Sequence, residues 1–139
     1  MDNSMKLMDT LTISGAGMKV QSDRLRTVAQ NIANSESAGT RPGEEPYRRK
    51  TISFEAVMDR EAGFDTVQTK NIGTDPSPFN LKYDPSHPAA NEQGYVRMPN
   101  INPILEMMDM REARRSYEAN LNMVEASRAM MSQAINLLQ

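Results

Sequence analysis

The sequence predicts a mainly α-helical protein, with two long terminal helices and a small β-containing segment between them. Two observations support this fold class. An apolar residue recurs every seven positions near each end of the chain, and all 8 prolines lie between Pro42 and Pro103. A strict seven-residue spacing puts a stripe on one side of a helix and favours pairing with another helix. We therefore expect the terminal helices to form an antiparallel pair that resembles a coiled coil, with short irregular strands between them.

The N-terminal part, residues 1–39, is predicted to form the first helix. Its heptad series consists of Leu11, Met18, Leu25 and Ile32. The stretch from Ser14 to Gly17 interrupts the apolar pattern, because glycine disfavours a helix interior. Two interpretations stay open, a kink in the helix or a close approach of a second helix over small residues. Gly39 is a plausible stop for this region, since glycine commonly follows a helix.

The middle segment, residues 40–101, predicts turns and short strands. Apolar side chains alternate with others around Phe54 and around Leu81, and a further extended stretch surrounds Val96. Such alternation is typical of strands with one buried face. Proline-containing stretches such as that at Pro76 cannot be central strands, because proline lacks the backbone donor. We expect a few short strands joined by turns.

The C-terminal part, residues 102–139, predicts the second long helix. From Ile104 onward the chain contains neither glycine nor proline, and Asn102 and Pro103 are suited to the cap and to the first helical position. A helix of this length extends roughly 54 Å, which is too long to pack only on a small centre. Its apolar stripe includes Tyr117, Leu121, Val124, Met131, Ile135 and Leu138.

Two features of the chain each admit two interpretations. Half of the 12 methionines lie in the second predicted helix, where they either fill a core or form an adaptable assembly surface, because methionine is flexible. The basic run from Arg48 to Lys50 indicates either a solvated strand edge, since charges there discourage edge-to-edge pairing, or a contact with an acidic partner.

Composition argues against several classes of function. The net charge is −2 with basic residues scattered along the chain, whereas nucleic-acid binding requires a basic patch or stripe. Cysteine is absent and His87 is the only histidine, so we expect no metal site of the usual histidine and thiolate ligands. The glycines form no phosphate-binding loop. We therefore expect no catalytic residues, cofactor, metal or small-molecule substrate, and a structural or incidental role for His87.

Several motifs resemble those of bacterial flagellar rod and hook proteins. Residues 30–37, with the sequence QNIANSES, resemble the asparagine-rich signature that closes the N-terminal helix of these axial proteins. Residues 83–90, 94–100 and 113–120 are similar, more specifically, to the subunits of the proximal rod. The resemblance covers nearly the whole chain, and the loop at residues 38–46 departs from it.

The resemblance implies a non-enzymatic structural subunit that polymerises into the drive shaft between rotor and hook. Its expected partners are copies of itself, other rod proteins, the adaptor that links the rod to the inner-membrane ring, and the flagellar type III export apparatus during transit. The expected location is the periplasmic rod of the basal body. The start of the chain lacks the charged segment and apolar run of a cleaved signal peptide, and the resemblance implies export without one.

The apolar stripes are the predicted assembly interface, because 38% hydrophobic and 5% aromatic residues supply little material for a large internal core. The residues expected to be buried between helices, within and between subunits, are Leu11, Met18, Leu25, Ile32, Tyr117, Leu121, Val124, Met131, Ile135 and Leu138. Two other classes of protein stay open. One is a cytoplasmic coiled-coil adaptor or export chaperone, and the other is a hydrolase with an unrecognised site.

Overall fold

The computed structural model describes residues 2–60 and 63–137, and it has long helices at both ends of the chain. Between them lie short strands, which confirms the coarse fold class. The elements in chain order are α1 (Asp2–Ala33), β1 (Lys50–Asp59), β2 (Phe64–Thr74), β3 (Asn80–Tyr83), β4 (Tyr95–Met98) and α2 (Pro103–Asn136). Neither helix, over the residues described, combines the length and apolar character that a membrane span requires.

The helix α1 continues without a break through the two glycines at positions 15 and 17. The side chain of Asn120 lies close against Gly17, so the close approach of a second helix is the interpretation that the structure supports. The expected stop at Gly39 is wrong. The helix ends at Ala33, where Ser35 Oγ donates a hydrogen bond of 2.8 Å to the carbonyl of Ile32 and so satisfies one terminal acceptor.

The start of α2 agrees with the cap that the sequence predicts. The Oδ1 atom of Asn102 accepts hydrogen bonds from the backbone N–H groups of Ile104 at 3.1 Å and Leu105 at 3.5 Å. Pro103 occupies the first helical position, where its missing N–H costs nothing because that group has no partner within a helix. The cap therefore starts α2 at Pro103, shortly after β4 ends at Met98.

Over the part of the chain that the structure describes, the strands form two separate two-stranded sheets, one of β1 and β2 and one of β3 and β4. In the second sheet the strands are antiparallel, with Leu81 opposite Arg97 and Lys82 opposite Val96. The predicted strands correspond to β1, β3 and β4, whereas β2 was not predicted. Its sequence, FDTVQTKNIGT, is rich in polar side chains, so apolar alternation gives little sign of it.

The connection between β3 and β4 is a tight, hydrogen-bonded loop. Asp84 N–H donates to the carbonyl of Gly94 at 2.9 Å, and Gly94 has a φ of +82° that side-chain-bearing residues rarely adopt. The Nδ1 atom of His87 accepts a hydrogen bond of 3.0 Å from the backbone N–H of Ala89. The histidine therefore contributes to the structure of this loop.

The chain divides into two compact units. The first unit comprises the described residues of Met1–Leu25, Ser53–Asn71 and Arg111–Gln139, and the second comprises Arg26–Ile52 and Ile72–Met110. Each unit therefore draws on both helices and on the strands. Among the described residues the fully buried apolar side chains are small and few, namely Val20, Val28, Val96, Ile101 and Ala113.

Candidate assembly interface

A buried polar cluster in the second unit joins the end of α1, the start of β1 and the first turns of α2. We call this cluster the polar hub, and its members are Asn31, Tyr47, Arg49, Asp75, Asn100 and Glu106. Two of them, Asn31 and Glu106, are each only 1% exposed. Burying a polar group costs free energy unless the group is hydrogen-bonded. The hydrogen bonds within this cluster therefore determine how strongly it holds α1, β1 and α2 together.

Asn31 uses its whole hydrogen-bonding capacity inside the hub. Its Oδ1 accepts from the backbone N–H of Lys50 at 2.8 Å, and its Nδ2 donates to the carbonyl of the same residue at 2.9 Å. The side chain thus pairs with β1 as a neighbouring strand would. The second proton of Nδ2 goes to Glu106 Oε2 at 3.1 Å, and the hydroxyl of Tyr47 donates to Oδ1 at 3.3 Å. An amide has no further donors or acceptors to offer.

Glu106 is the buried charge of the hub, and Arg49 is its ionic partner. The Nε of Arg49 donates to Glu106 Oε1, while the other carboxylate oxygen receives the amide of Asn31. The Arg49 side chain is 31% exposed and the Glu106 side chain 1% exposed. The same buried carboxylate lies near Tyr47, and burial first and the negative charge second raise the pKa of that phenol. The pair therefore fixes α2 to the strand that follows α1.

Asn100 and Asp75 extend the hub towards the loop that follows β2. Asn100 Oδ1 accepts from the backbone N–H of Arg49 at 2.8 Å, and its Nδ2 donates to the carbonyl of Asp75 at 3.1 Å. The backbone N–H of Asp75 in turn donates to the carbonyl of Arg49 at 2.8 Å. A side chain and two backbones therefore hold the beginning of β1 beside this loop.

The basic run before β1 corrects one prediction made from the sequence. Its expected role as a solvated strand edge is wrong, because Arg48 and Arg49 are half-buried and bonded within the chain. Arg48 Nη1 donates to the carbonyls of Asp75 and Ser77 at 3.0 and 3.1 Å, and its guanidinium lies 4.2 Å from the centre of the Phe79 ring. The acidic groups that the run contacts belong to the same chain.

Acid should weaken the hub through Asp75. Hydrogen bonds from the Ser77 backbone and hydroxyl, with a smaller contribution from the Arg49 guanidinium, hold the pKa of Asp75 below its ordinary value. A carboxylate with a lowered folded-state pKa stabilises the fold above its unfolded pKa, about 3.9, and this contribution is lost as the pH falls through the lower folded value. We expect Asp75→Asn to lower the free energy of unfolding at pH 7, and the difference from the parent protein to shrink below about pH 4.

Urea unfolding at a series of pH values measures this effect. Asparagine retains an oxygen that can accept from Ser77 N–H, which donates to Asp75 Oδ1 at 2.9 Å, so the substitution removes the charge and one acceptor oxygen while it keeps this bond. Asp65→Asn, at an exposed position on β2, controls for the loss of a surface carboxylate. A difference for Asp75→Asn that stays constant down to pH 2.5 or so would contradict the assignment.

The residues of the predicted interface are partly covered in the single chain. Most are half-buried, whereas Leu121 is 36% and Ile135 is 54% exposed, and Leu138 lies outside the described residues. The half-buried members are Leu11, Met18, Leu25, Ile32, Tyr117, Val124 and Met131. Their burial between subunits stays a prediction. The side chains of this stripe nevertheless keep apolar surface that a neighbouring molecule can cover.

Further apolar side chains on α2 are more exposed than the half-buried members of the predicted stripe. At its start in the second unit, Ile104 is 69%, Leu105 60%, Met107 52% and Met108 60% exposed. Met123 and Met130, in the first unit, are 52% and 49% exposed. These exposures favour the adaptable surface over core filling for the methionines, because a core residue would be covered by its own chain.

The side chains that α2 buries are small or polar, so the hydropathy of the sequence does not identify them as buried. Glu106, Ala113 and Ser127 are at most 1% exposed, and Asn120 is half-buried. These residues repeat every seven positions, interleaved with the apolar series through Tyr117. Spacing rather than residue type is the signal that could have found them. Among the described residues, no group of three His, Cys, Asp or Glu side chains could hold a metal ion.

Comparison with known proteins adds the family context for this geometry. The family model described as "Flagellar basal body rod FlgEFG protein C-terminal" matches residues 92–137, which include β4 and α2. The chain is 48% identical to the flagellar basal-body rod protein FlgC of Agrobacterium fabrum over 127 residues, or 91% of each chain. It is 46% identical to FlgC of Aquifex aeolicus over 84% of this chain and 86% of the relative. FlgC of Yersinia enterocolitica is 35% identical over 97% of this chain and 100% of its own length.

Proposed function

The chain belongs to the FlgC family of flagellar basal-body rod proteins, and from this premise we propose that it polymerises into the proximal part of the rod, the drive shaft between rotor and hook. It is a structural subunit of the flagellar basal-body rod. The interpretation as a cytoplasmic coiled-coil adaptor or export chaperone has no support from these relatives. The proposed role is mechanical and uses no catalytic residue.

The observation that carries the proposal is apolar surface left open on the terminal helices. Both α1 and α2 carry heptad stripes that are only half covered, and α2 adds exposed side chains such as Leu105 and Met108. Exposed apolar patches of this kind mark sites of protein association. When one subunit's patch binds a different patch on the next, the contact does not close on itself and a filament results. A rod requires this kind of association.

The antiparallel coiled-coil pairing of the terminal helices is part of this proposal. In the first unit Gly17 lies against Asn120, and Arg24 Nη2 is 3.6 Å from Glu112 Oε2. From the first of these contacts to the second, the residue number increases along α1 and decreases along α2. This supports an antiparallel arrangement of the two helices in the first unit. We propose that residues 1–39 and 102–139 form the rod helices and residues 40–101 the middle segment.

The finer partners and location are also proposals. We expect copies of this chain and other rod proteins as neighbours, together with the adaptor that links the rod to the inner-membrane ring. During transit we expect the chain to engage the flagellar type III export apparatus and to reach the periplasm without cleavage of a signal peptide. The predicted interface between subunits remains the two apolar stripes, the one on α1 that includes Leu25 and the one on α2 that includes Val124.

Fractionation of complemented cells tests the proposed function. A strain that lacks the gene should be non-motile and should regain motility with the intact chain, which should co-purify with basal bodies from detergent extracts. A cytosolic enzyme serves as the control for contamination. An adaptor or chaperone would stay in the soluble cytosolic fraction instead. Motility in the strain without the gene would refute the structural role.

A further inference from the structure

In the first unit, the side chain of Asn120 on α2 lies directly against the backbone of Gly17 on α1. A Cβ atom built on Gly17 would stand 2.9 Å from Asn120 Nδ2 and 3.1 Å from Asn120 Cγ, and real Cβ atoms essentially never come within 3.0 Å of a neighbour. The amide is also held in place, because Nδ2 donates a hydrogen bond of 2.9 Å to the carbonyl of Ser116. Moving it to make room for a methyl group at Gly17 would weaken that bond. Glycine is therefore the residue that fits opposite Asn120.

The neighbouring positions along α1 make this fit specific to one alignment. One heptad before Gly17 stands Thr10, and one heptad after it stands Arg24. A slip of seven residues would leave the apolar stripe of α1 in contact, because the stripe repeats at the same spacing. The slip would, however, place Asn120 opposite Thr10 or Arg24, where a Cβ occupies the space. The apolar stripe alone does not distinguish these registers, whereas the amide does so in the first unit, as the hydrogen bond from Asn31 of α1 to Glu106 of α2 does in the second.

We propose that the contact between Gly17 and Asn120 sets, within the first unit, the register in which α1 packs against α2. A polar residue at one heptad position of a helix interface is an established means of specifying register at some cost in stability. Asn120 thereby becomes a specificity-determining residue, because a helix with a similar apolar stripe but a side chain opposite the amide does not fit. Selection among the helices of other rod subunits rests on the proposed function. The register within the chain does not depend on it.

Cysteine crosslinking in the purified full-length protein tests the register directly. The chain has no cysteine, so engineered pairs give an unambiguous signal. In the native register Arg24 Nη2 lies 3.6 Å from Glu112 Oε2, so these two positions face each other. The pair Arg24→Cys with Glu112→Cys, joined by a bis-maleimide that spans the distance between the shorter side chains, reports this register. The pair Arg24→Cys with Ala119→Cys reports a slip of one heptad. Mass spectrometry of peptides after reaction with the bis-maleimide measures the yield of each crosslink within the chain.

In the parent background we expect the native pair to be crosslinked and the slipped pair to stay unlinked. Adding Gly17→Ala should lower the native yield severalfold, whereas a slipped crosslink would report a shift of one heptad that also breaks the bond from Asn31 to Glu106. Gly15→Ala is the matched control, since it makes the same change two residues away where nothing lies within 4 Å of the added Cβ. It should leave both yields unchanged. Adding Asn120→Ala to the Gly17→Ala variant should restore the native yield, because the shorter side chain makes room.

The proposal is overturned if Gly17→Ala gives the same yields as Gly15→Ala, if Asn120→Ala fails to restore the native crosslink, or if the parent protein gives no native crosslink at all. These readings concern one chain in solution and need no rod. The register of the chain tests this inference, and motility tests the proposed function. A cell that is non-motile with the native register, or motile with the slipped register, therefore distinguishes failure of one from failure of the other.

Discussion

Replacing Glu106 by alanine is expected to lower the free energy of unfolding by about 3 kcal/mol, which is a large part of the stability of a small domain. The substitution removes the acceptor for Arg49 Nε and for one proton of the Asn31 amide at the same time. Removing the buried member of such a pair costs more than the pair contributes, because one proton of the buried Asn31 amide is left without an acceptor and Arg49 loses its nearest carboxylate. Urea unfolding followed by far-UV circular dichroism measures the change.

Glu112→Ala is the matched control on the same helix. Its carboxylate also faces an arginine, Arg24, at 3.6 Å, but the Glu112 side chain is 70% exposed. Exposed ion pairs contribute at most about 1 kcal/mol, so the unfolding midpoint should barely change. Glu106→Gln should fall between the two, because it retains the shape and one acceptor oxygen but loses the charge. Equal effects of Glu106→Ala and Glu112→Ala would show that the hub is not a major source of stability.

The hub also shows which parts of the fold the sequence reveals. Proline distribution and heptads indicate the helices, because these signals are local and strong, and the cap at Asn102 follows from the same local chemistry. The pairing of Glu106 with Arg49 joins residues far apart in the chain, and no local pattern indicates such a pair. Arg49 is half-buried because it binds this distant carboxylate. The sequence near Arg49 does not show that carboxylate, and a basic run beside a strand therefore predicts a solvated edge.

The helix contacts were predictable only in part, for a related reason. The apolar half of each heptad pattern is visible in hydropathy, as at Leu25 and Val124. The other half on α2 consists of small and polar residues such as Ala113, Asn120 and Ser127, which hydropathy assigns to the surface. What buries them is the close approach of other parts of the chain, as Asn120 and Gly17 illustrate. The sequence does not predict strand β2, because the residues along this strand are mostly polar and show no clear apolar alternation.

Replacing Leu25 or Val124 by aspartate is expected to abolish rod assembly and motility. Both residues lie in the heptad stripes and are half-buried in the single chain. If a neighbouring subunit covers the remaining surface, a carboxylate there must lose its water without gaining a partner, which costs several kcal/mol at each contact. The contact recurs at every subunit of a polymer, so even a moderate penalty per contact prevents growth of the rod. Soft-agar motility and the yield of basal bodies measure the outcome.

Aspartate at exposed positions of the same helices provides the matched controls. Ala29→Asp on α1 and Ala126→Asp on α2 add the same charge and at least as large a loss of helix propensity at residues that are exposed in the single chain. They should retain motility if the stripe itself forms the interface. Circular dichroism of the purified Leu25→Asp and Val124→Asp proteins separates lost assembly from lost folding, since helix content near that of the parent places the defect between subunits. Normal motility of either stripe variant would show that its residue does not lie in a dry interface, and loss of motility in all four variants would extend the interface to the outer faces of both helices.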